Sequence, residues 1–171
     1  SFTQPRMYAN IRSRPSVVAT YGERLAAAAS DRPDEGLSFY THVPYCAEMC
    51  LFCGCNVRVS RSDERRERYL EAIESELSWI ERSGIARRPI KQFHWGGGTP
   101  TSLTPDQIQR LFESVANRFR IAEDAEVSIE VDPRVTTPEQ IALLGKLGFG
   151  RISLGIQDFD IDVQKAVKRV Q

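Results

Sequence analysis

From residue 37 onward, runs suited to β-strands alternate with longer runs of helical periodicity, and they do so four times. No other feature restricts the possible folds as strongly. The strand runs are "LSFYTHV" (37–43), "IKQFHW" (90–95), "EVSIEVD" (126–132) and "RISLGIQDF" (151–159). A helix is predicted over 62–84, with Leu70, Ile73, Leu77 and Ile80 at 3–4 spacing, Ser62 able to cap it and Gly84 able to end it. A second, over 104–119, opens on a capping box, with Thr104, Pro105 at the first helical position and Gln107 three residues on. Its buried stripe is Ile108, Leu111, Phe112, Val115 and Phe119. The segment 137–148 repeats the same Thr-Pro-acid-Gln opening and closes at Gly148, and "DVQKAVKRVQ" starts a last helix without a stop signal. Strand followed by helix, repeated, predicts parallel βαβ units. Residues 1–36 lack the alternation and read as an N-terminal arm with one short helix near 16–29.

The two faces of the strands differ in a way that narrows the fold class. Val127, Ile129 and Val131, like Ile152, Leu154 and Ile156, fall on one parity and are expected to pack against outer helices. The other parity carries Ser128, Glu130 and Asp132, and Ser153, Gly155 and Gln157. In the first strand Tyr40 and His42 oppose Phe39, Thr41 and Val43. Closed eight-stranded barrels fill their interior with bulky aliphatics, whereas this interior is polar. The pattern suits an open α/β barrel whose lumen holds a polar ligand. A solvent-facing sheet surface is the plainer reading, but parallel sheets are usually covered on both faces.

All four cysteines, Cys46, Cys50, Cys53 and Cys55, stand in "HVPYCAEMCLFCGCN" with spacing C-x3-C-x2-C-x-C. Hydrophobic residues make up 41% of the 171, enough for a core, and a chain of this size buries about 70% of its unfolded surface. With 23 basic against 23 acidic residues, the chain has no net charge with which to coat nucleic acid or an anionic membrane. No apolar run approaches the roughly 18 residues of a membrane span, and "SFTQPRMYAN" has no apolar signal-peptide region. The expected compartment is therefore the reducing cytoplasm, where clustered thiols bind metal or do chemistry more often than they pair. Three thiolates on one loop can hold three corners of a 4Fe–4S cluster and leave one iron open. Zinc is the main rival, although its structural sites usually take two separated ligand pairs. Four unliganded thiols are the third reading.

C-x3-C-x2-C after a first strand resembles the signature of radical S-adenosylmethionine (SAM) enzymes. The longer stretches "YTHVPYCAEMCLFCGCN", "FHWGGGTPTSL", "SIEVDPR" and "GFGRISLGIQDF" followed by "VQKAVKRVQ" resemble, in order, the oxygen-independent coproporphyrinogen III oxidases. The likeness runs over about residues 37–171, and the "GCN" ending at Cys55–Asn56 is nearer to the oxidases than to their haem-delivery relatives. It implies a truncated partial (β/α) barrel of the radical SAM type over 37–171, following the 1–36 arm. It also implies a 4Fe–4S cluster on Cys46, Cys50 and Cys53, with Cys55 beside it but not ligating, and S-adenosyl-L-methionine as cosubstrate, two molecules of it. By motif match, Tyr40, Gly97 and Glu130 would serve the first SAM, and Phe52, Gly98, Thr99, Gln157 and Arg169 the second. The implied partners are a porphyrinogen substrate and an electron donor, and the implied reaction is oxidative decarboxylation of a propionate to a vinyl group.

Each of these residues also has a plainer reading. The "GGGTP" run can be a turn. Glu130 and Gln157 can be ordinary lumen residues, Tyr40 can fill space, and Arg169 can be solvated. His42 and His94 are read as structural. A haem-binding relative and a zinc module remain as alternative functions. About four units, where such barrels have about six, imply an N-terminal fragment, expected to be inactive by itself. Its exposed fourth strand would associate with another chain or rearrange.

Overall fold

The computed structural model describes residues 15–32, 34–51 and 53–171. Residues 1–14 of the expected arm lie outside these. The elements run α1 (Pro15–Asp31), β1 (Leu37–Val43), β2 (Tyr45–Cys46), β3 (Arg58–Val59), α2 (Asp63–Glu81), β4 (Ile90–Gly97), α3 (Pro105–Ala116), β5 (Ile121–Val131), α4 (Pro138–Lys146), β6 (Arg151–Leu154) and α5 (Ile161–Ala166). β1, β4, β5 and β6 form one parallel sheet in that order, and β2 and β3 form a separate parallel pair. The α/β expectation therefore holds, with four strands in the sheet. Among the described residues no helix is long and apolar enough to cross a membrane.

Side chains on one face of the sheet make the core with α2, α3 and α4. Phe93, Trp95, Val127 and Ile129 meet Leu70, Leu77, Ile108, Leu111, Val115 and Leu144, all buried. The aromatic members interlock edge to face: Trp95 and Phe149 have ring centroids 5.2 Å apart at 77°. α2 starts where the Ser62 hydroxyl accepts from Arg65 N–H. α3 and α4 start on complete capping boxes, Thr104 with Gln107 and Thr137 with Gln140.

The boundaries differ from the sequence reading for identifiable reasons. β4 continues through Gly96 and Gly97, because their backbones pair with His42 and Val43 of β1. β5 starts at Ile121 rather than 126, since Ile121 pairs with Ile90 across a register shift. The fourth strand stops at Leu154 instead of 159. Its partner β5 has no ladder beyond Val131: Asp132 O accepts from Val135 N and Thr136 N, turning the chain away, and Pro133 has no N–H to give. Ile152, Leu154 and Ile156 do not pack against an outer helix as expected and are 39%, 56% and 40% exposed. The following helix is short and turns elsewhere, its cap residue Val167 accepting from Leu51 N at 3.1 Å.

α5 also ends at Ala166, well before the expected end of the last helix, through a stop signal that is hard to read in sequence. Lys168 N donates to Lys165 O (3.1 Å) and Arg169 N to Gln164 O (2.8 Å), a Schellman motif with Lys168 at φ 54°. α4 ends on the same two bonds with Gly148 at the corresponding place, φ 89°. A lysine stands in α5 where a glycine would announce the stop.

Candidate functional site

The carboxyl ends of all four sheet strands open onto one place, as in barrels whose sites are built from strand-following loops. β1 leads into the cysteine loop, β4 into Gly98–Thr99, β5 into Asp132–Arg134, and β6 into Gly155 and the segment that brings back Arg169.

The β2–β3 ladder closes the cysteine loop at its base. Arg58 N donates to Pro44 O (2.6 Å) and Ser60 N to Cys46 O (3.0 Å). Within the loop, Cys53 N donates to Cys50 O at 3.2 Å. All four thiols are free, with Cys50 buried, Cys46 and Cys53 half-buried and Cys55 exposed. Cys46 Sγ lies 3.4 Å from Thr99 Oγ1, so the glycine loop touches the cysteine loop directly. Burial pushes the Cys46 thiol up; the Thr99 hydrogen bond pulls the other way, and Cys53, Cys50 and Asp132 raise it further. Burial likewise raises Cys55, helped by its neighbour Cys53 and by Glu130.

Asp132 is buried and grips Arg134 with both oxygens. Arg134 Nε is 3.0 Å from Oδ1, and Nη2 is 2.6 Å from Oδ2. Burial would raise the Asp132 carboxyl, but the Arg134 hydrogen bonds and the charges of Arg169 and Arg134 outweigh it and hold it below the ordinary value. Two guanidinium groups converge on one sulfur: Arg134 Nη2 lies 3.8 Å and Arg169 Nη1 3.7 Å from Cys50 Sγ. Arg169 also donates to Gly155 O at 2.8 Å and lies 3.7 Å from Asp132 Oδ2.

On the inner face, Tyr40, His94 and Ser128 stand in register across three strands. Tyr40 stacks on His94 at 5.8 Å, and His94 Nδ1 is 2.8 Å from Ser128 Oγ. Glu130 lies one step nearer the carboxyl end, with Oε1 3.6 Å from His94 Nε2 and Oε2 accepting from Gly97 N at 3.3 Å. Gly97 has φ 113°, and a Cβ there would sit 2.7 Å from the His42 ring. One on Gly96 would come within 3.0 Å of both Tyr40 Oη and Glu130 Oε2. The two glycines thus form a cradle that no other residue could leave open. His42 is fixed by Tyr40 Oη (3.2 Å) and by the Asn56 carbonyl (2.8 Å).

Of the residues singled out in the sequence, the structure brings together Cys46 with Thr99, Cys50 with Arg169, and Gly97 with Glu130, with Tyr40 and Glu130 both beside Gly96. Gly98 bonds back to β1, its N–H on Val43 O at 2.8 Å. Gln157 is exposed, near Gly155. Phe52 lies outside the described residues. Arg169 is not a solvated tail residue, since its side chain is 13% exposed. Sequence reasoning missed Arg134. The available signal was Asp-Pro before it, a turn opener: Arg134 N donates to Asp132 Oδ1 at 3.0 Å. His94, read as structural, is held in the inner row by its stack on Tyr40, its hydrogen bond with Ser128 and its approach to Glu130.

The donor set suits an iron–sulfur cluster. It offers four free thiols on one loop with cationic groups facing one of them, a glycine cradle beside it, and a buried Arg169 Nε with no hydrogen-bond partner among the described residues. Among the described residues no three His, Cys, Asp or Glu side chains converge tightly enough for a single ion. A cube of irons takes its thiols at separate corners, so thiols spread over one loop are compatible with a cluster.

Comparison with known proteins bears on the same residues. The family model of the Radical SAM superfamily matches residues 40–171. The oxygen-independent coproporphyrinogen III oxidase of Synechocystis is 44% identical over 135 residues, 79% of this chain and 29% of that protein. The oxidase of the same name from Escherichia coli is 43% identical over 153 residues, 88% of this chain and 33% of that one. A solved structure of the Escherichia coli coproporphyrinogen III oxidase, described as a radical SAM enzyme, superimposes with a TM-score of 0.82 at 42% identity, covering 87% of this chain and 34% of the other. The chain spans about a third of the length of the curated relatives it matches.

Proposed function

The chain belongs to the radical SAM superfamily, and on that premise we propose that it is the cofactor-holding part of an enzyme that oxidatively decarboxylates coproporphyrinogen III to protoporphyrinogen IX. The observation that carries this reading is the meeting, at the carboxyl ends of four parallel strands, of the three-thiol loop with the Gly96–Gly97 cradle and Glu130. Cys46, Cys50 and Cys53 hold the 4Fe–4S cluster. Bound there with SAM, the cluster supplies the one-electron reductive cleavage from which hydrogen abstraction at a substrate propionate begins.

The chain's own residues bind and orient. Glu130, fixed by Gly97 N–H and backed by His94, offers its carboxylate to the ammonium or ribose hydroxyls of SAM. Tyr40, stacked on His94, lines the same place. Burial, then Glu130 and Cys55, push the Tyr40 phenol up, so it stays a neutral hydrogen-bonding group at physiological pH. Gly98, Thr99, Gln157, Arg169 and Phe52 serve a second SAM molecule. An external one-electron donor and the porphyrinogen are the partners, and the site of action is the cytoplasm. The barrel portion is assigned to residues 37–171, with the described part of the N-terminal segment, α1, ahead of it.

The test is anaerobic reconstitution of the full-length protein. Iron and sulfide at about four each per chain are expected by cluster stoichiometry, with SAM cleavage and protoporphyrinogen IX formation on adding a reductant. Cys46→Ala, Cys50→Ala and Cys53→Ala should each lose the cluster, while Cys55→Ala keeps it. Zinc without sulfide, or haem binding with no vinyl product, would overturn the proposal.

A further inference from the structure

The guanidinium pair at Cys50 has no part in the reading above beyond Arg169's place near SAM. Arg134 and Arg169 approach the same sulfur from residues 84 and 119 positions away in sequence. Asp132 holds Arg134 in a bidentate grip and lies 3.7 Å from Arg169. Two cations and one carboxylate leave one uncompensated positive charge beside Cys50 Sγ. Arginine stays protonated at any working pH, and its planar fork can serve Asp132 and the sulfur at once. Cys46 Sγ, by contrast, has the neutral Thr99 hydroxyl beside it.

We propose that Arg134, oriented by Asp132, is a hydrogen-bond donor and charge partner of the Cys50 sulfur, and that it raises the reduction potential of the cluster held there. This rests on the reading that Cys50 is a cluster ligand. Adding an electron makes the cluster more negative, and donors and cations at a ligating sulfur stabilise that reduced state. Asp132 is the positioning residue. It touches no thiol in this arrangement but fixes where the guanidinium points.

The experiment is a redox titration, followed by electron paramagnetic resonance, of the full-length protein reconstituted anaerobically with iron and sulfide. Arg134→Gln should load the same iron and show a midpoint potential shifted to more negative values. Arg134→Lys, which keeps the charge but not the fork, should shift the same way by less. If Arg134→Gln fails to load, Arg134→Lys carries the test. Arg58→Gln, which removes an exposed guanidinium from the strand closing the same loop, should leave the potential unchanged. Asp132→Asn is the sharpest arm. Losing an anion alone would raise the potential, whereas losing the orientation of Arg134 lowers it, and a lowering is expected. Equal potentials in wild type and Arg134→Gln, or a rise in Asp132→Asn, would overturn the proposal. A wild-type protein that takes up no cluster, or a Cys50→Ala variant that keeps the wild-type cluster and potential, would instead overturn the ligand reading on which it rests.

Discussion

Gln140 donates its side-chain amide to the backbone carbonyl of Leu103 at 2.8 Å, while its own oxygen accepts from Thr137 N at 2.8 Å. A second bond, to Thr101 O at 2.9 Å, completes the amide. One buried residue thus caps α4 and pins the chain that follows the glycine loop. Gln140→Leu leaves two buried carbonyls and one N–H without partners and is expected to cost about 2 kcal/mol or more. Gln140→Glu keeps the acceptor for Thr137 but turns a carboxylate toward two carbonyls, so its deficit should grow as pH rises and that carboxyl ionises. Urea unfolding at several pH values measures both, and a Gln140→Glu deficit that shrinks with rising pH would contradict the assignment.

The Gly96–Gly97 cradle is expected to fail on any side chain. Gly97→Val meets the His42 ring and adopts a φ that β-branched residues avoid. In the cluster-loaded full-length protein, calorimetry should show SAM affinity lost in Gly97→Val and reduced about tenfold or more in Glu130→Ala, equivalent to about 1.4 kcal/mol. Iron content should be unchanged in Glu130→Ala. Unchanged affinity in both variants would remove these residues from the SAM pocket.

Lys168 occupies a left-handed conformation that costs a non-glycine residue about 1 kcal/mol. Lys168→Gly relieves that cost but frees the unfolded chain by a comparable amount, so stability should change by less than about 1 kcal/mol. Lys168→Val should destabilise clearly and release Arg169 from Cys50. A thermal unfolding series of the three proteins checks the order, and equal stability of the valine variant would argue against the Schellman stop.

The Asp132 carboxyl is held below its ordinary value in the folded protein. Its contribution to stability is therefore fully present above the ordinary aspartate range of about 3.9, and is lost as pH falls through the lower folded value. The difference in unfolding free energy between wild type and Asp132→Asn should be constant from neutral pH to about pH 5 and then shrink on further acidification. A difference that widens in acid would mean the carboxylate is not the stabilised form.

The alternation from residue 37 was sufficient for the sheet, because capping boxes at Thr104 and Thr137 and apolar stripes such as Ile108–Leu111–Val115 are local signals. Elements whose limits depend on a neighbour were less legible. β4 runs through two glycines because β1 supplies partners, and β6 stops because β5 turns at Asp132–Pro133. The stop of α5 was hidden because a lysine occupies the left-handed position. In the site, the cysteine spacing marked the loop and strand parity marked the inner face that bears Glu130, while the choice of Cys46, Cys50 and Cys53 among the four cysteines rested on the family resemblance alone. Arg134 was not legible, since its relation to Cys50 spans 84 residues and exists only once four strand ends converge.

The contacts that steady the cysteine loop have a bearing on when, during synthesis, the loop matures. Cys46 must wait for Thr99, Cys50 for Arg134 and then Arg169, and Leu51 for Val167. The closure entropy of such spans rises only slowly with length, but no contact can form before its later partner has left the ribosome. At about 5–20 residues per second, the interval between Cys50 and Arg169 is on the order of 6–24 seconds. Until residue 169 has docked, the Cys50 thiol lacks at least one of its two guanidinium neighbours, so a cluster of the kind proposed would meet a less cationic site if delivered early than if delivered afterwards.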